Sequence, residues 1–120
     1  MKENKDTTVS KEIAEKMVQA YADEENGVGL NPAYTKCAWF PADQIIKIAD
    51  SLKENKADGL RIYFARYLSD TIEGLPQSYE GKNTLLLVQT SEVNGTSTDN
   101  LNTIENRATL CPDDCDGTGL

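Results

Sequence analysis

GLRIYFARY, residues Gly59–Tyr67, alternates Leu60, Ile62 and Phe64 with Arg61, Tyr63 and Ala65. Successive side chains of a strand point to opposite faces, so this period of two predicts a half-buried strand. TLLLVQT, residues Thr84–Thr90, is apolar at both parities and predicts a more central strand. Upstream, PADQIIKIADSLKENK begins at Pro41 and sets Ile45, Ile48, Ala49 and Leu52 on one stripe with Ile46 beside it, which predicts a helix lying on those strands.

Outward from this centre the signals weaken. CAWF before Pro41 predicts a short strand over 36–40, buried on both faces, because the residue before a proline is driven toward extended backbone. SKEIAEKMVQAYADEE carries Ile13, Met17, Ala20 and Tyr21 at helical spacing with Ser10 as its N-cap, and Gly27 and Gly29 are placed to stop that helix. LSDTIEGLPQSYEGKN holds the glycines and proline of a surface loop. SEVNGTSTDNLNT is uniformly polar with an Asn-Gly turn signal and predicts a mobile loop over about 91–102.

The expected architecture is α+β: two helices packed on a small mixed sheet of three or four strands, followed by an irregular polar C-terminal region. A right-handed crossover joins the first two strands if they are parallel. Residues 1–8 read as a disordered tail and 9–120 as a single domain.

Composition bounds the chemistry. The chain has 120 residues, 38% of them apolar, and a mean hydropathy of -0.54. Its formal net charge of -8 repels polyanions, so neither a nucleic-acid backbone nor an anionic membrane surface is an expected partner. The polar opening MKENKDTTVS is no signal peptide, and three cysteines, an odd number, suit reduced thiols, so a cytoplasmic location is expected. Histidine is absent, which removes Ser-His-Asp and Cys-His mechanisms and imidazole-dependent zinc sites within one chain.

In order, AWFPADQI, GLRIYFARY, TLLLVQT and the late ENRATLCPDDC resemble a family of small uncharacterised bacterial proteins. That family shows Trp-Phe before a helix, a G-[IL]-R-[IF]-Y-[FY] strand, a T-L-[VL]-x-[VI]-x-T strand, and a late N-x-G stretch before a proline-containing, often cysteine-bearing end. The likeness spans roughly residues 10–115. It implies the same architecture and no activity. NRA, Asn106–Ala108, stands where the family tends to have a glycine after Asn106.

Four groups of residues are candidates for function. Cys111 and Cys115, in C-x3-C spacing, can ligate a metal, cycle as a redox pair, or brace a proline-bent tail. Cys37 is the third thiol, and a homodimer would pool four thiolates. Asp114 and Asp116 read as a solvated acidic terminus. Arg61 and Tyr63 on one strand can bind an acidic ligand or serve, with a carboxylate, a small enzyme; their structural alternative is a salt bridge and sheet cover. Asn106 is a further ligand-binding candidate or a turn former. Trp39 and Phe40 are expected in the core. No catalytic residue and no cofactor is assigned, and the leading expectation is a non-catalytic binding module for a protein partner or small molecule.

Overall fold

The computed structural model describes residues 7–26 and 31–120. Its order is α1 (Lys11–Glu25), β1 (Cys37–Trp39), α2 (Ala42–Glu54), β2 (Gly59–Arg66), a short 3-10 turn (Gln77–Tyr79), β3 (Asn83–Val93), β4 (Thr96–Glu105) and β5 (Thr109–Cys111). Helix α1 and residues 116–120 form one unit, and Pro32–Cys115 form the other.

In the first unit, Ser10 caps α1 as expected, its Oγ accepting from Ile13 N–H at 3.2 Å. The helix ends with the Asn26 N–H on Ala22 O, and none of its residues is buried. The proposed glycine stop at Gly27 and Gly29 lies outside the described residues, as does the expected tail over its first six positions.

The second unit has the expected α+β composition, but every strand pair is antiparallel. One sheet has the order β2-β3-β4, and β1 pairs with β5 in a separate two-stranded ribbon. The mixed sheet and its conditional crossover therefore give way to two small sheets. The reason is chain distance: the three residues of β1 meet β5 at the far end of the sequence, with Cys37 opposite Cys111 and Trp39 opposite Thr109.

The polar stretch expected as a loop over 91–102 instead forms the arms of the β3–β4 hairpin. Asn94 and Gly95, at φ 53° and 80°, make its turn, and this left-handed pair matches the twist of the two strands. The ladder is interrupted once. Val88 pairs with Ile104 and Thr90 with Asp99, so the single residue Gln89 stands against residues 100–103. Asn100 Oδ1 accepts the Asn102 N–H at 3.0 Å inside this bulge, and Leu101 points to solvent.

Helix α2 lies over the sheet face that bears Gln89 and Glu105. Gln44 Nε2 donates to Glu105 Oε1 at 3.0 Å and to the Asn106 carbonyl at 2.9 Å. Gln89 Nε2 donates to Ser51 Oγ at 2.8 Å, and Ile48 is the helix's buried residue. Ile45, expected on the buried stripe, is exposed, because the contacts are made by Gln44, Ile48, Ser51 and Asn55, a stripe rotated away from it.

The core sits away from that helix. Tyr67, Ile72, Tyr79, Ala108 and Leu110 form one buried cluster, with Ala38, Phe40 and Leu75 packed against it. The expected surface loop after β2 thus supplies Ile72 and Tyr79 to the core. Most of its other residues stay at the surface, and its turns close on their own backbone: Tyr67 N–H reaches Lys82 O, Gly81 N–H reaches Tyr67 O, and Leu75 N–H reaches Ile72 O. Phe40, just after β1, follows expectation, but Trp39 within it does not, being 62% exposed, and Cys37 is exposed too. A two-stranded ribbon has one side to bury, so β1 cannot be covered on both.

Candidate functional site

Strand β2 is the feature that departs most from an ordinary surface. It stands at the edge of its sheet and, among the described residues, pairs only with β3. Along its other side every second residue turns out backbone N–H and C=O groups that no strand takes up. Leu60, Ile62 and Phe64 share a face with Gln89, Leu87 and Leu85, their cross-strand partners. Leu87 and Gln89 are buried beneath α2, but the cover runs out toward the edge, where Ile62 is 49% and Phe64 91% exposed. Lys47 reaches Glu105 on β4, so helical spacing turns the opposite flank of α2, with Ile45 and Leu52, to the β2 side.

On the opposite face, Arg61 and Tyr63 come together as the alternation predicts, and the group that joins them is Asp99 from β4. Arg61 Nη1 meets Asp99 Oδ1 at 2.5 Å, and the Tyr63 hydroxyl donates to Asp99 Oδ2. The hydrogen bond to Asp99 is the main reason the Tyr63 phenol titrates above its ordinary range, and the same contact raises the Arg61 guanidinium further. At the near end of β2, Asp58 accepts from Ser97 Oγ and Thr90 Oγ1, each at 2.5 Å. The Ser97 bond, then the Thr90 bond, holds its carboxyl below the usual carboxylate range. Asp99 does not emerge from the sequence as a partner because the polar stretch that carries it is expected as a loop and not as the strand β4.

Asn106 is elsewhere, within the packing of the second unit. Its Nδ2 donates to Leu85 O at 2.6 Å and Thr84 Oγ1 at 3.2 Å, while its Oδ1 accepts from the Tyr67 hydroxyl at 2.9 Å. With Gln44 on its carbonyl, Asn106 ties β3, α2 and the start of the connection after β2 together. Arg107 then takes φ 75°, the left-handed region that glycine enters freely, and its Nη1 is held by Glu73 O at 2.8 Å.

The three cysteines gather at one corner. Cys111 and Cys115 are joined in a disulfide, and Cys37 is free directly across the β1–β5 ribbon from Cys111. The expectation of reduced thiols therefore fails for this pair, and in this state neither sulfur is a thiolate that a metal could take. Among the described residues no group of three His, Cys, Asp or Glu side chains is placed to hold a metal ion. Asp114, expected to be solvated, accepts from the buried Tyr79 hydroxyl at 2.6 Å, and that same oxygen accepts the Leu110 N–H at 2.9 Å. Burial first, and Asp114 second, raise the Tyr79 phenol above its ordinary range.

Comparison of the chain with protein-family models, curated proteins and solved structures finds no match. Function is therefore read from these residues alone. Among the described residues no helix is long and apolar enough to cross a membrane.

Proposed function

We propose that the protein is a non-catalytic binding module that takes an extended segment of a partner protein as an added strand on the open edge of β2. The observation that carries this reading is the exposure of Phe64, with Ile62 and Leu60, on an eight-residue edge strand. Edge strands are ordinarily protected from such pairing by lysine, proline, a bulge or short length. Gly59–Arg66 contains no lysine and no proline, and it pairs with β3 without a register shift. Strand addition draws affinity from main-chain hydrogen bonds and selectivity from alternate side chains.

The chemistry of the partner follows from the strand. Alternate apolar residues of the incoming segment lie beside Ile62 and Phe64. A carboxylate of that segment meets Arg66, which is exposed and forms no ion pair among the described residues. Gly59–Arg66 carries two arginines and no carboxylate on a chain of net charge -8, so an acidic segment is favoured locally although the whole chain is acidic. The enzymatic reading of Arg61 and Tyr63 is less well supported, since Asp99 engages both side chains.

Selection of random twelve-residue peptides on the immobilised protein, with Phe64→Asp as the counter-target, tests the proposal. Enriched peptides should alternate apolar residues, contain an acid, and bind the wild type at least tenfold more tightly than the variant. Enrichment that ignores Phe64 would sink the reading. So would a wild-type dimer that Phe64→Asp dissociates, because a second copy would then be the occupant.

A further inference from the structure

We propose that the ribbon corner is a thiol–disulfide exchange site, in which Cys37 displaces Cys115 from Cys111 and so makes Cys115 the residue that reacts with small disulfides. The argument is independent of the β2 edge. All three cysteines of the chain meet at this corner, although they are spread over positions 37, 111 and 115. Cys37 and Cys111 are direct partners in an antiparallel pair. Such partners hold their Cα atoms about 4.5 or 5.5 Å apart, and both separations lie within the range of about 4.4–6.8 Å that a disulfide spans. Exchange thus needs no rearrangement of the ribbon.

Burial decides which sulfur each attacker reaches. Cys111 is 2% exposed, so a thiol arriving from solvent does not reach it, whereas Cys37 already faces it across the ribbon. Cys115 is exposed and follows the strand, in a segment fixed by the Asp114 N–H on Leu110 O. The Cys37 thiol gives its proton to solvent and its thiolate attacks Cys111 Sγ. The Cys37–Cys111 bond forms as the Cys111–Cys115 bond breaks, and Cys115 leaves as a thiolate that attacks a disulfide or takes a proton. One disulfide replaces another, so this step needs no oxidant.

The two isomers differ in what they constrain. The Cys111–Cys115 bond closes a loop of a few residues, while Cys37–Cys111 would fasten β1 to β5 across most of the chain, the larger restriction on the unfolded state. Asp114 and Asp116 flank Cys115 and oppose the charge of the departing thiolate, which makes the exchange slow. Once released, Cys115 attacks one sulfur of a low-molecular-weight disulfide, forming a mixed disulfide and expelling the other half as a thiol.

Oxidised glutathione is the probe. The full chain, incubated with it in the absence of reductant, is trapped with N-ethylmaleimide and mapped by mass spectrometry under non-reducing conditions. The expected product carries glutathione on Cys115 together with a Cys37–Cys111 bond. Cys37→Ser should retain Cys111–Cys115 and take up at least tenfold less glutathione. Glutathione on Cys37 with Cys111–Cys115 intact would overturn the proposal, and so would an adduct on Cys115 that survives in Cys37→Ser. The position of the adduct in the wild type decides the matter even if the variant folds poorly.

Discussion

Strand β2 is regular and has no buried residue, whereas the connection that follows it, residues 67–82, is irregular and mostly exposed and yet sends Tyr67, Ile72 and Tyr79 into the core. The two adjoin in sequence, and the contrast separates two properties that are easily run together. Regular backbone pairing is satisfied by a single neighbour: β3 fixes every residue of β2 from Gly59 to Arg66 without removing Phe64 from water. Burial needs a facing surface, and β5 gives one to the connection. Leu110 and Ala108 meet Tyr67, Ile72 and Tyr79, whose two tyrosine rings lie 6.1 Å apart at an interplanar angle of 26°. The ordered strand is thus the part left for a partner, and the loop is the part that holds the unit together.

The largest test of this contrast pairs Leu110→Ala with Phe64→Ala in urea unfolding. Leu110 is 0% exposed, and truncating a fully buried leucine costs about 2–5 kcal/mol through lost transfer energy and the cavity left behind. Phe64→Ala should stay within about 0.5 kcal/mol, the usual range for surface changes. Equal losses would mean that Phe64 is covered in solution and that the edge is not open.

The alternation of GLRIYFARY marks the strand and its two faces but not its burial, since Leu60, Ile62 and Phe64, expected on a half-buried strand, are all exposed, while Pro41 with the apolar spacing after it marks α2 within a residue of its start. What the sequence does not carry is which faces are met by other elements. Burial of Tyr67, Ile72 and Tyr79 depends on Ala108 and on Leu110 of β5, some thirty residues further along, and a three-residue strand leaves no periodicity to read. The polar arms of the β3–β4 hairpin likewise defeat a pattern that looks for apolar residues, although its Asn-Gly turn is plain. Of the candidate residues, Arg61 and Tyr63 were placed together by alternation. The shared carboxylate and the position of Cys37 opposite Cys111 required the tertiary pairing, whereas the disulfide is local and is one of the readings open to the C-x3-C spacing.

Next in size is the hydroxyl of Tyr79, which binds the connection to Asp114 and to the Leu110 N–H. Tyr79→Phe leaves that buried N–H unpaired, at a cost of about 1–3 kcal/mol measured by urea unfolding near neutral pH. A pH titration sharpens the result. The folded phenol titrates above its unfolded value, so its contribution is whole below the ordinary tyrosine pKa of about 10 and is lost as pH rises through the raised value. The Phe variant should therefore lose less stability than wild type over that alkaline range. A parallel decline in both proteins would assign the alkaline loss to other groups.

Arg107 gives a smaller, backbone-level comparison. Its φ of 75° disfavours a β-branched side chain, so Arg107→Val should cost about 1–2 kcal/mol. Arg107→Gly relieves the backbone while giving up the bond to Glu73 O, so the two effects offset. Thermal unfolding of both variants tests this: if valine and glycine destabilise alike, the hydrogen bond to Glu73 rather than the conformation sets the value of this residue.

The smallest effect belongs to the exposed side of the contrast. Asp58 opens β2, and its carboxylate is held below the ordinary range by hydrogen bonds from Ser97 and Thr90 that tie the strand to the hairpin. A carboxyl lowered in the folded state contributes stability that is whole above its unfolded pKa of about 3.9 and is lost as pH falls through the lowered value. Asp58→Asn should therefore cost a small amount of stability at neutral pH, and its difference from wild type should close as pH falls below about 4. Because the site is open to water, amide exchange of β2 is a more sensitive readout than global unfolding. Faster exchange confined to Gly59–Arg66 and its β3 partners, with Tyr67 and Leu110 unchanged, is the expected pattern, since it shows the edge loosening while the connection holds. Loosening of both together would show that the edge and the core unfold as one, and the separation between them would fail.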